Sequence, residues 1–445
     1  MAADLKPNER LKRLIDETGG SQQQFAALVN RLGTERGTPT TYTGVAVHHW
    51  CKGHKPKEEN RPLIMEALAR KLGRPITHVE AGFPSPVEGS AARPDTVAEL
   101  IDLGTADMVP GRRSVLGAAS LFSVALVIPD WPDVIGRMES VKSGSSVRVG
   151  MSDVEVVTNV TERLREMYGK FGGRTSRPMA AAFLVNDVTP YLRADASEEV
   201  RKALMSAVAF LSYITGWMAV DEGLHGLAQR YYTKSLELAG ASSDHLTYCH
   251  VLRGMSVQAA DLGHGPTAIR LAEAASGASP QTGPRMRAFM GGQLAHSYAL
   301  AGDKGAAMRS IRETEKALDV AESRIGAFGG FSPSTLAYAT AQVRYYTGDV
   351  VGSVKSLQSH FQLRDPTDTE VSGLRFGALL AERQLEMGHL EAACHTWGKV
   401  LDGRSGVRSG RVDRQVSDIA SRLRPYRSTP VARDLCERIR QSSRT

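Results

Sequence analysis

The segment SVQAADLGHGPTAIRLA, Ser256 to Ala272, places small residues at fixed distances from one glycine. Ser256 lies seven residues before Gly263, Ala268 lies five residues after it, and Ala272 lies nine residues after it. Helical periodicity prevails from residue 151 onward, without strand-like alternation or a glycine-rich nucleotide-binding loop. An arrangement of this kind indicates a helical repeat if it recurs along the chain.

The arrangement recurs at five glycines, which are spaced by 40, 39, 46 and 40 residues: Gly223, Gly263, Gly302, Gly348 and Gly388. The residues seven positions before them are Gly216, Ser256, Ala295, Ala341 and Ala381. Those five positions after are Ala228, Ala268, Ala307, Ser353 and Ala393, and those nine after are Tyr232, Ala272, Ile311, Leu357 and Trp397. One insertion, IGAFGGFSPS, explains the spacing of 46. We predict five repeats over residues 205–405, preceded by helices in residues 151–200 and followed by a terminal amphipathic helix.

These offsets resemble those of tetratricopeptide repeats. In that family a small residue on each helix lets a helix pair cross closely, glycine ends the first helix, and a large apolar residue fills the groove. The usual period is about 34 residues, so the connections here are longer. The resemblance implies an α-solenoid of helical hairpins over residues 151–445, with a concave inner wall. The predicted fold class is all-α.

First-helix residues at matching offsets before the glycines should line that wall. They are Tyr213, Arg253, His296, Tyr338, Gln342, Arg375 and Glu382. A wall that mixes tyrosine, arginine, histidine and glutamine suits a peptide or a small polar ligand. Two alternatives stay open, namely a surface for another protein or a second copy of the chain, and a solvated groove that binds nothing.

The first 80 residues predict a separate helical bundle. Helical spacing of apolar residues begins after residue 8, Ser21 is suited to cap a second helix, and a third stretch ends at VHHWCKGHKP. A fourth helix, PLIMEALARKLG, follows. The motifs S-Q-x-x-F-A at 21–26 and V-x-x-W-x-x-G-x-x-P at 47–56 resemble the XRE family of λ-repressor-like helix-turn-helix domains. The connection between the second and third helices is several residues longer than the tight turn of that family.

The resemblance implies a third helix that reads DNA. Tyr42, Val47 and Trp50 fall at its anchoring positions. The residues predicted to contact DNA are Gln22, Thr43, Val45, His48, His49, Lys52 and Lys55. Histidine can donate to phosphate or base acceptors, methyl groups can meet thymine methyls, and lysines add affinity that is independent of sequence. Gln22 matches the phosphate-contacting glutamine of the family, at a helix N-terminus suited to an anion.

Two other interpretations of this region stay open. His48, His49, Cys51 and His54 are residue types that ligate metals, but neighbouring residues of a helix point apart and no second cluster follows. The bundle could also serve only for packing or dimerisation. We predict no metal and no cofactor.

Positive charge is concentrated at the two ends of the chain, whose net charge is +7. Residues 1–85 contain 13 Lys and Arg against 9 Asp and Glu, and residues 400–445 contain 11 Arg against 5 acidic residues. A basic end can meet a polyanion such as nucleic acid, but for the C-terminal tail alone we favour a solvated basic surface. The four separated cysteines form no C-x-x-C pair, which favours a reducing, cytoplasmic setting.

Residues 81–150 read as a linker that contains one short helix, TVAELIDLG, and an apolar segment at 114–128. The residues GRRSVLG before that segment match the residue pattern of a twin-arginine export signal. No A-x-A cleavage site follows, and a DNA-binding domain precedes it, so we favour a buried interdomain helix. No segment is predicted to reach the about 18 to 20 apolar residues that span a bilayer.

The domain order resembles bacterial regulators, including peptide-sensing quorum regulators. It implies a cytoplasmic, homodimeric transcription factor that binds double-stranded DNA and senses a peptide or small-molecule signal. The alternative is a protein-interaction scaffold whose helix-turn-helix no longer reads DNA. Catalysis is not predicted, because His245, Cys249 and His250 lack a third catalytic group and an oxyanion site.

Overall fold

The structure is a computed structural model, and it describes residues 7–35, 40–72, 76, 80–83, 96–108, 145–278, 283–321, 331–364 and 368–442. The described part is all-α, which confirms the predicted fold class. It also contains one short parallel sheet that the sequence did not predict, formed by β1 (Ser145–Arg148) and β2 (Ala194–Asp195). The apolar segment at 114–128 lies outside the described residues, as does most of the insertion IGAFGGFSPS.

The described residues between 7 and 83 form an N-terminal bundle of helices α1 (Glu9–Glu17), α2 (Gln22–Glu35), α3 (Gly44–Cys51) and α4 (Arg61–Leu72). Ser21 caps α2 as predicted: its hydroxyl accepts from the Gln24 amide at 3.2 Å, and the Gln24 side chain accepts from the Ser21 amide at 2.9 Å. This reciprocal pair satisfies two amides that the first turn leaves free. The bundle core includes Ala81 and Phe83, so it extends past the boundary at residue 80.

After residue 83, the described ranges consist mainly of helices. They are α5 (Thr96–Met108), α6 (Met151–Phe171), α7 (Gly173–Phe183), α8 (Thr189–Leu192), α9 (Glu198–Glu222), α10 (His225–Ser242), α11 (His245–Asp261), α12 (Gly265–Gly277), α13 (Gly283–Leu300), α14 (Lys304–Asp319), α15 (Pro333–Tyr346), α16 (Val350–Gln362), α17 (Glu370–Glu386), α18 (Leu390–Gly403), α19 (Gly410–Arg422) and α20 (Pro430–Ser442). Consecutive helices from α9 to α18 form five hairpins, each an odd-numbered helix packed on the even-numbered helix that follows it.

The predicted repeat register matches these hairpins. All five repeat glycines follow an odd-numbered helix and adopt left-handed backbone angles, with φ between +81° and +95°. The small residues seven before and five after each glycine are all buried, and they lie where the two helices cross. At two of the crossings a serine hydroxyl ties one helix to its partner: Ser256 donates to the Ala268 carbonyl at 2.8 Å, and Ser353 donates to the Ala341 carbonyl at 2.7 Å.

The hairpins pack in succession as the predicted α-solenoid, and this solenoid also closes on itself, which the repeats did not predict. Helix α19 contacts both α9 and α17, and α17 contacts α6, so the last helices return to the first. Asp221, fully buried at the end of α9, accepts hydrogen bonds from the Gly173 amide at 3.0 Å and the Ser409 hydroxyl at 2.6 Å. The Arg408 amide donates to the Phe171 carbonyl at 2.7 Å. We call this closed array, α6 to α20, the repeat ring.

Helix α5, predicted as a linker helix, packs on the repeat ring through contacts with α7 and α10. The Asp107 carboxylate forms an ion pair with Arg177, and both side chains are buried. Arg177 also pairs with Glu222, with Nε and Oε1 2.5 Å apart, and the Tyr231 hydroxyl donates to Asp107 at 3.1 Å. Helix α5 is therefore part of the ring structure, because a buried ionic network fixes it there.

Helix α9 is long and apolar enough to span a membrane by length and composition, contrary to the expectation that no such segment exists. Within the structure, 78% of its apolar window is buried by the rest of the chain. Its apolar residues face the main core of the ring rather than an outer surface. Helix α9 is thus a core helix of the ring.

Candidate DNA-binding helix and ring interior

Helix α3 is anchored to the bundle by one face. Val47 is fully buried, Trp50 is 5% exposed, and the Tyr42 ring meets the Trp50 ring edge-on with centroids 4.8 Å apart. The side chain of Asn30 holds the chain leading into α3: its amide donates to the Tyr42 carbonyl and its oxygen accepts from the Tyr42 amide, both at 2.7 Å. These bonds fix where the connection from α2 enters α3.

The opposite face of α3 is open to solvent. Val45 is 64% exposed, and His48, His49, Lys52 and Lys55 are exposed as well. Thr43 is exposed immediately before the helix, and its side chain makes no capping hydrogen bond. Gln22 is half-buried at the start of α2. Six of the seven residues predicted to contact DNA therefore share exposed surface on and beside one short helix.

The first turns of α2 and α3 are tied together. The Gly44 amide, at the start of α3, donates to the Gln23 side-chain oxygen at 2.7 Å. A side chain at Gly44 would lie 3.2 Å from the Gln23 backbone nitrogen, so the two helix starts approach closely. This contact sets the position of Gln22 relative to the exposed face of α3.

The histidines near α3 lie on the exposed side, and the cysteine does not. The His49 and His54 rings are 5.2 Å apart, whereas Cys51 is 6% exposed on the buried face. Burial and the Asp16 charge raise the pKa of the Cys51 thiol, which disfavours the thiolate that metal binding needs. Across the described ranges no three histidine, cysteine or acidic side chains converge as metal ligands. His54 was not among the predicted DNA contacts, although its exposure and position match theirs.

The basic C-terminal helices use much of their charge within the ring. Arg411, on α19, is 6% exposed, and its Nη2 lies 2.8 Å from Oδ2 of Asp261. Arg422 lies 3.4 Å from Glu382, and Arg404 lies 3.1 Å from Asp413. The C-terminal helices are thus a structural part of the ring, and their arginines do not form a free basic tail.

Two of the predicted wall residues, Tyr213 and Arg253, lie on neighbouring inner helices. The Arg253 guanidinium stacks 3.7 Å from the centroid of the Phe289 ring, and its Nε donates to the Phe289 carbonyl at 3.2 Å. The ring centroids of Tyr213 and His250 are 5.9 Å apart. Burial raises the pKa of Tyr213, which keeps the phenol neutral.

Three further wall residues, Tyr338, Arg375 and His296, come from the next inner helices. Tyr338 stacks on Phe376 with ring centroids 3.9 Å apart, and Arg375 lies 4.0 Å from Asp261. Burial lowers the pKa of His296 to about 4, with the Arg383 and Arg253 charges adding to the shift, so this imidazole is neutral at pH 7. Burial also raises the pKa of Tyr338, against the opposing charge of Arg375. The name ring interior is used below for these three residues, for Tyr213 and Arg253, for the side chains that contact them (Asp261, Phe289 and Phe376), and for Arg411, which pairs with Asp261.

The other two predicted wall residues are engaged by neighbouring arginines. The Gln342 side chain accepts a hydrogen bond from Arg383, and Glu382 pairs with Arg422. Sequence reasoning missed Asp261, Phe289, Phe376 and Arg411, which complete the ring interior. Asp261 and the two aromatic residues could have been found by extending the offset rule along the same helix faces, whereas Arg411 joins only because the array closes.

The cysteine and histidine on α11 do not form a nucleophilic pair. Cys249 is fully buried, and its pKa rises to about 12, first through burial and then through the Asp244 charge. The His250 pKa falls to about 4, mainly through burial. A protonated thiol inside a packed helix pair is unsuited to attack a substrate.

One family model, described as the SP15 N-terminal domain, matches residues 11–84. The matched residues coincide with the N-terminal bundle, including α3 and the core residue Phe83. The match is a similarity of this part of the chain. No curated protein matches the chain.

Proposed function

We propose that the protein is a DNA-binding transcriptional regulator, in which the N-terminal bundle reads DNA and the repeat ring binds an effector. The observation that supports this best is the two-sided character of α3. One face is fixed by Val47 and Trp50, and the other offers histidine, threonine, valine and lysine side chains to solvent. A DNA-reading helix needs both faces, because an unanchored helix cannot hold its side chains against base edges.

The chemistry of the exposed face suits the major groove. The imidazole N–H groups of His48 and His49 can donate to guanine or phosphate oxygens, and the Val45 methyl groups can contact a thymine methyl. Lys52 and Lys55 at the end of α3 would neutralise backbone phosphates. Gln22, held beside α3 by the Gln23–Gly44 hydrogen bond, would contact a phosphate at the start of α2.

The regulatory part of the proposal concerns the repeat ring. A homodimer would place two N-terminal bundles on two half-sites of an operator. An effector bound in the ring interior would change their spacing only if it binds one ring conformation better than another. The buried cysteines and the core position of α9 are compatible with the cytoplasm, where such a regulator would act.

A binding experiment tests the DNA half of the proposal. Duplexes of about 30 base pairs would be selected from sheared genomic DNA by the full-length protein, and affinity would be measured by fluorescence anisotropy at several salt concentrations. We expect the double variant His48→Ala/His49→Ala to bind the selected duplex about 10-fold or more weakly, since each good base contact is worth about 1–3 kcal/mol. We expect Lys52→Ala to reduce the salt slope by about 0.9, the value for one lost phosphate contact.

A matched control separates these effects from a general change of charge. Lys355→Ala removes one exposed lysine from α16 in the ring, and this variant should bind DNA like the parent protein. Absence of salt-dependent binding, or equal affinity of the parent and the double histidine variant, would contradict the proposal. That result would favour an interaction scaffold whose bundle no longer reads DNA.

A further inference from the structure

We propose that the ring interior is a binding site for a small organic anion with a planar group, and that Arg253 binds its carboxylate or phosphate. The role of this anion as an effector rests on the function proposed above. The binding of the anion does not depend on that function, and it can be measured without DNA. Four observations carry the inference.

The first observation is that Arg253 has no carboxylate partner among the described residues. Its Nε donates a hydrogen bond to the neutral carbonyl of Phe289. The two terminal nitrogens of the guanidinium are left to bind a ligand. The ionisable groups that act on its charge are the phenols Tyr213, Tyr338 and Tyr232. Taking a guanidinium out of bulk water without a counter-charge is costly. A half-buried guanidinium without a carboxylate partner is suited to receive an anion.

The second observation is an excess of positive charge around Tyr338, one of the phenols that act on Arg253. Arg375 and Arg411 share a single carboxylate, Asp261. Arg383 donates to the neutral acceptors Ser353 and Gln342. Guanidinium groups thus outnumber the carboxylates engaged with them in this part of the ring. An anion entering the interior would be attracted by all of them, because low-dielectric walls preserve their field.

The third observation is that polar atoms nearby lack partners. The Tyr232 hydroxyl and His296 Nε2 are buried without a hydrogen-bond partner in the described part of the ring. The Tyr232 hydroxyl lies 3.5 Å from the position that a side-chain carbon at Gly254 would occupy, next to Arg253 in the chain. Buried polar atoms are rarely left unpaired in native proteins. A bound ligand with hydrogen-bonding oxygens would supply the missing partners.

The fourth observation concerns the planar group of the ligand, for which aromatic side chains are present. Phe289 presents its ring against the Arg253 guanidinium, and Tyr338 and Phe376 form a second aromatic contact as a stacked pair. Arg253 and Tyr338 are half-buried, so part of each remains accessible. Aromatic faces of this kind contact planar groups well. Inner helices surround the site, which favours a small molecule over a nucleic acid strand.

The test uses thermal unfolding of the full-length protein at constant ionic strength, with benzoate, phenyl phosphate and neutral benzamide as probes. A ligand that binds the native state raises the unfolding midpoint. We expect benzoate, phenyl phosphate or both to raise it, and benzamide to have no effect; the stronger anion identifies the preferred head group. From the dependence on concentration, Arg253→Met should weaken binding about 10-fold or more, because a charge-assisted pair is lost. Arg253→Lys should bind with intermediate affinity.

The matched control is Arg270→Met, which removes an exposed arginine of α12 in the same hairpin. This variant should respond to the anions like the parent protein. A second measurement excludes a purely structural role for Arg253. Without ligand, Arg253→Met should unfold at the same temperature as the parent or higher, since a half-buried charge without a counter-charge is gone. A structural tie to Phe289 would instead lower the midpoint.

Three results would overturn the inference: no response to either anion, an equal response to benzamide, or an unchanged response in Arg253→Met. DNA binding measured on the same preparations keeps the two proposals separate. Anion binding without any DNA binding would contradict the proposed regulator and leave this site standing. DNA binding without an anion response would contradict the anion site and leave the proposed regulator standing.

Discussion

Replacing Arg177 with methionine is expected to lower the free energy of unfolding by about 3–5 kcal/mol, the usual cost of breaking a buried ion pair from one side. Arg177 is 1% exposed and stands between the Asp107 carboxylate, which is fully buried, and Glu222. Without the guanidinium, two carboxylates would remain close together in the interior. The measurement is denaturant unfolding of the full-length protein, followed by far-UV circular dichroism.

The design includes a rescue and a surface control. The triple variant Arg177→Met/Asp107→Asn/Glu222→Gln removes all three charges, and we expect it to recover a large part of the lost stability. Arg163→Met breaks an ion pair with Glu166 in which the arginine is 79% exposed, and it should change stability by less than about 1 kcal/mol. Equal effects of Arg177→Met and Arg163→Met would show that the network adds little stability. In hydrogen exchange, α5 should lose protection first, because Asp107 is its charged anchor.

The Asp221→Ala variant is expected to lose about 3 kcal/mol and to loosen both ends of the repeat ring together. Asp221 accepts hydrogen bonds from Gly173, in the first helices, and from Ser409, in the last. Bonds to a charged acceptor contribute about 1.5–3 kcal/mol each. Amides of α6, α7 and α19 should therefore gain hydrogen exchange at similar rates, although these helices are far apart in the chain.

The control for ring closure is Asp402→Ala, whose carboxylate is 68% exposed and pairs with Arg438. It should leave stability and exchange nearly unchanged. If Asp221→Ala increased exchange only in α19 and left α6 and α7 protected, the ends would be independent. The closed ring would then not be a cooperative unit.

Local features of the fold followed from the sequence, because they depend on residues close together in the chain. The helix ends at the repeat glycines, the close crossings at residues such as Ser256 and the buried face of α3 are all of this kind. In each case a single periodicity or turn preference decides the structure. The exposed histidines of α3 were placed correctly for the same reason.

Closure of the ring did not follow from the sequence. A small rotation between successive hairpins accumulates over the array, and no local pattern reports its sum. Ser409 and Asp221 are separated by 188 residues and meet only because of that accumulated rotation. For this reason Arg411 appeared to belong to a basic tail, and α5 to a linker. Gln342 and Glu382 lie beside arginines that engage them, which spacing alone does not reveal.

The Ser409–Asp221 contact has a consequence for synthesis of the protein. At roughly 5–20 residues per second, the 188 residues that separate the pair take roughly 10–40 s to translate. During that interval Asp221 lacks the hydrogen bond from Ser409, and the Phe171 carbonyl lacks the one from the Arg408 amide. Folding therefore depends on a contact of very long range, which slows its final step. Nascent chains of this protein should be more dependent on chaperones than those of an open repeat array, whose hairpins complete one another as they emerge.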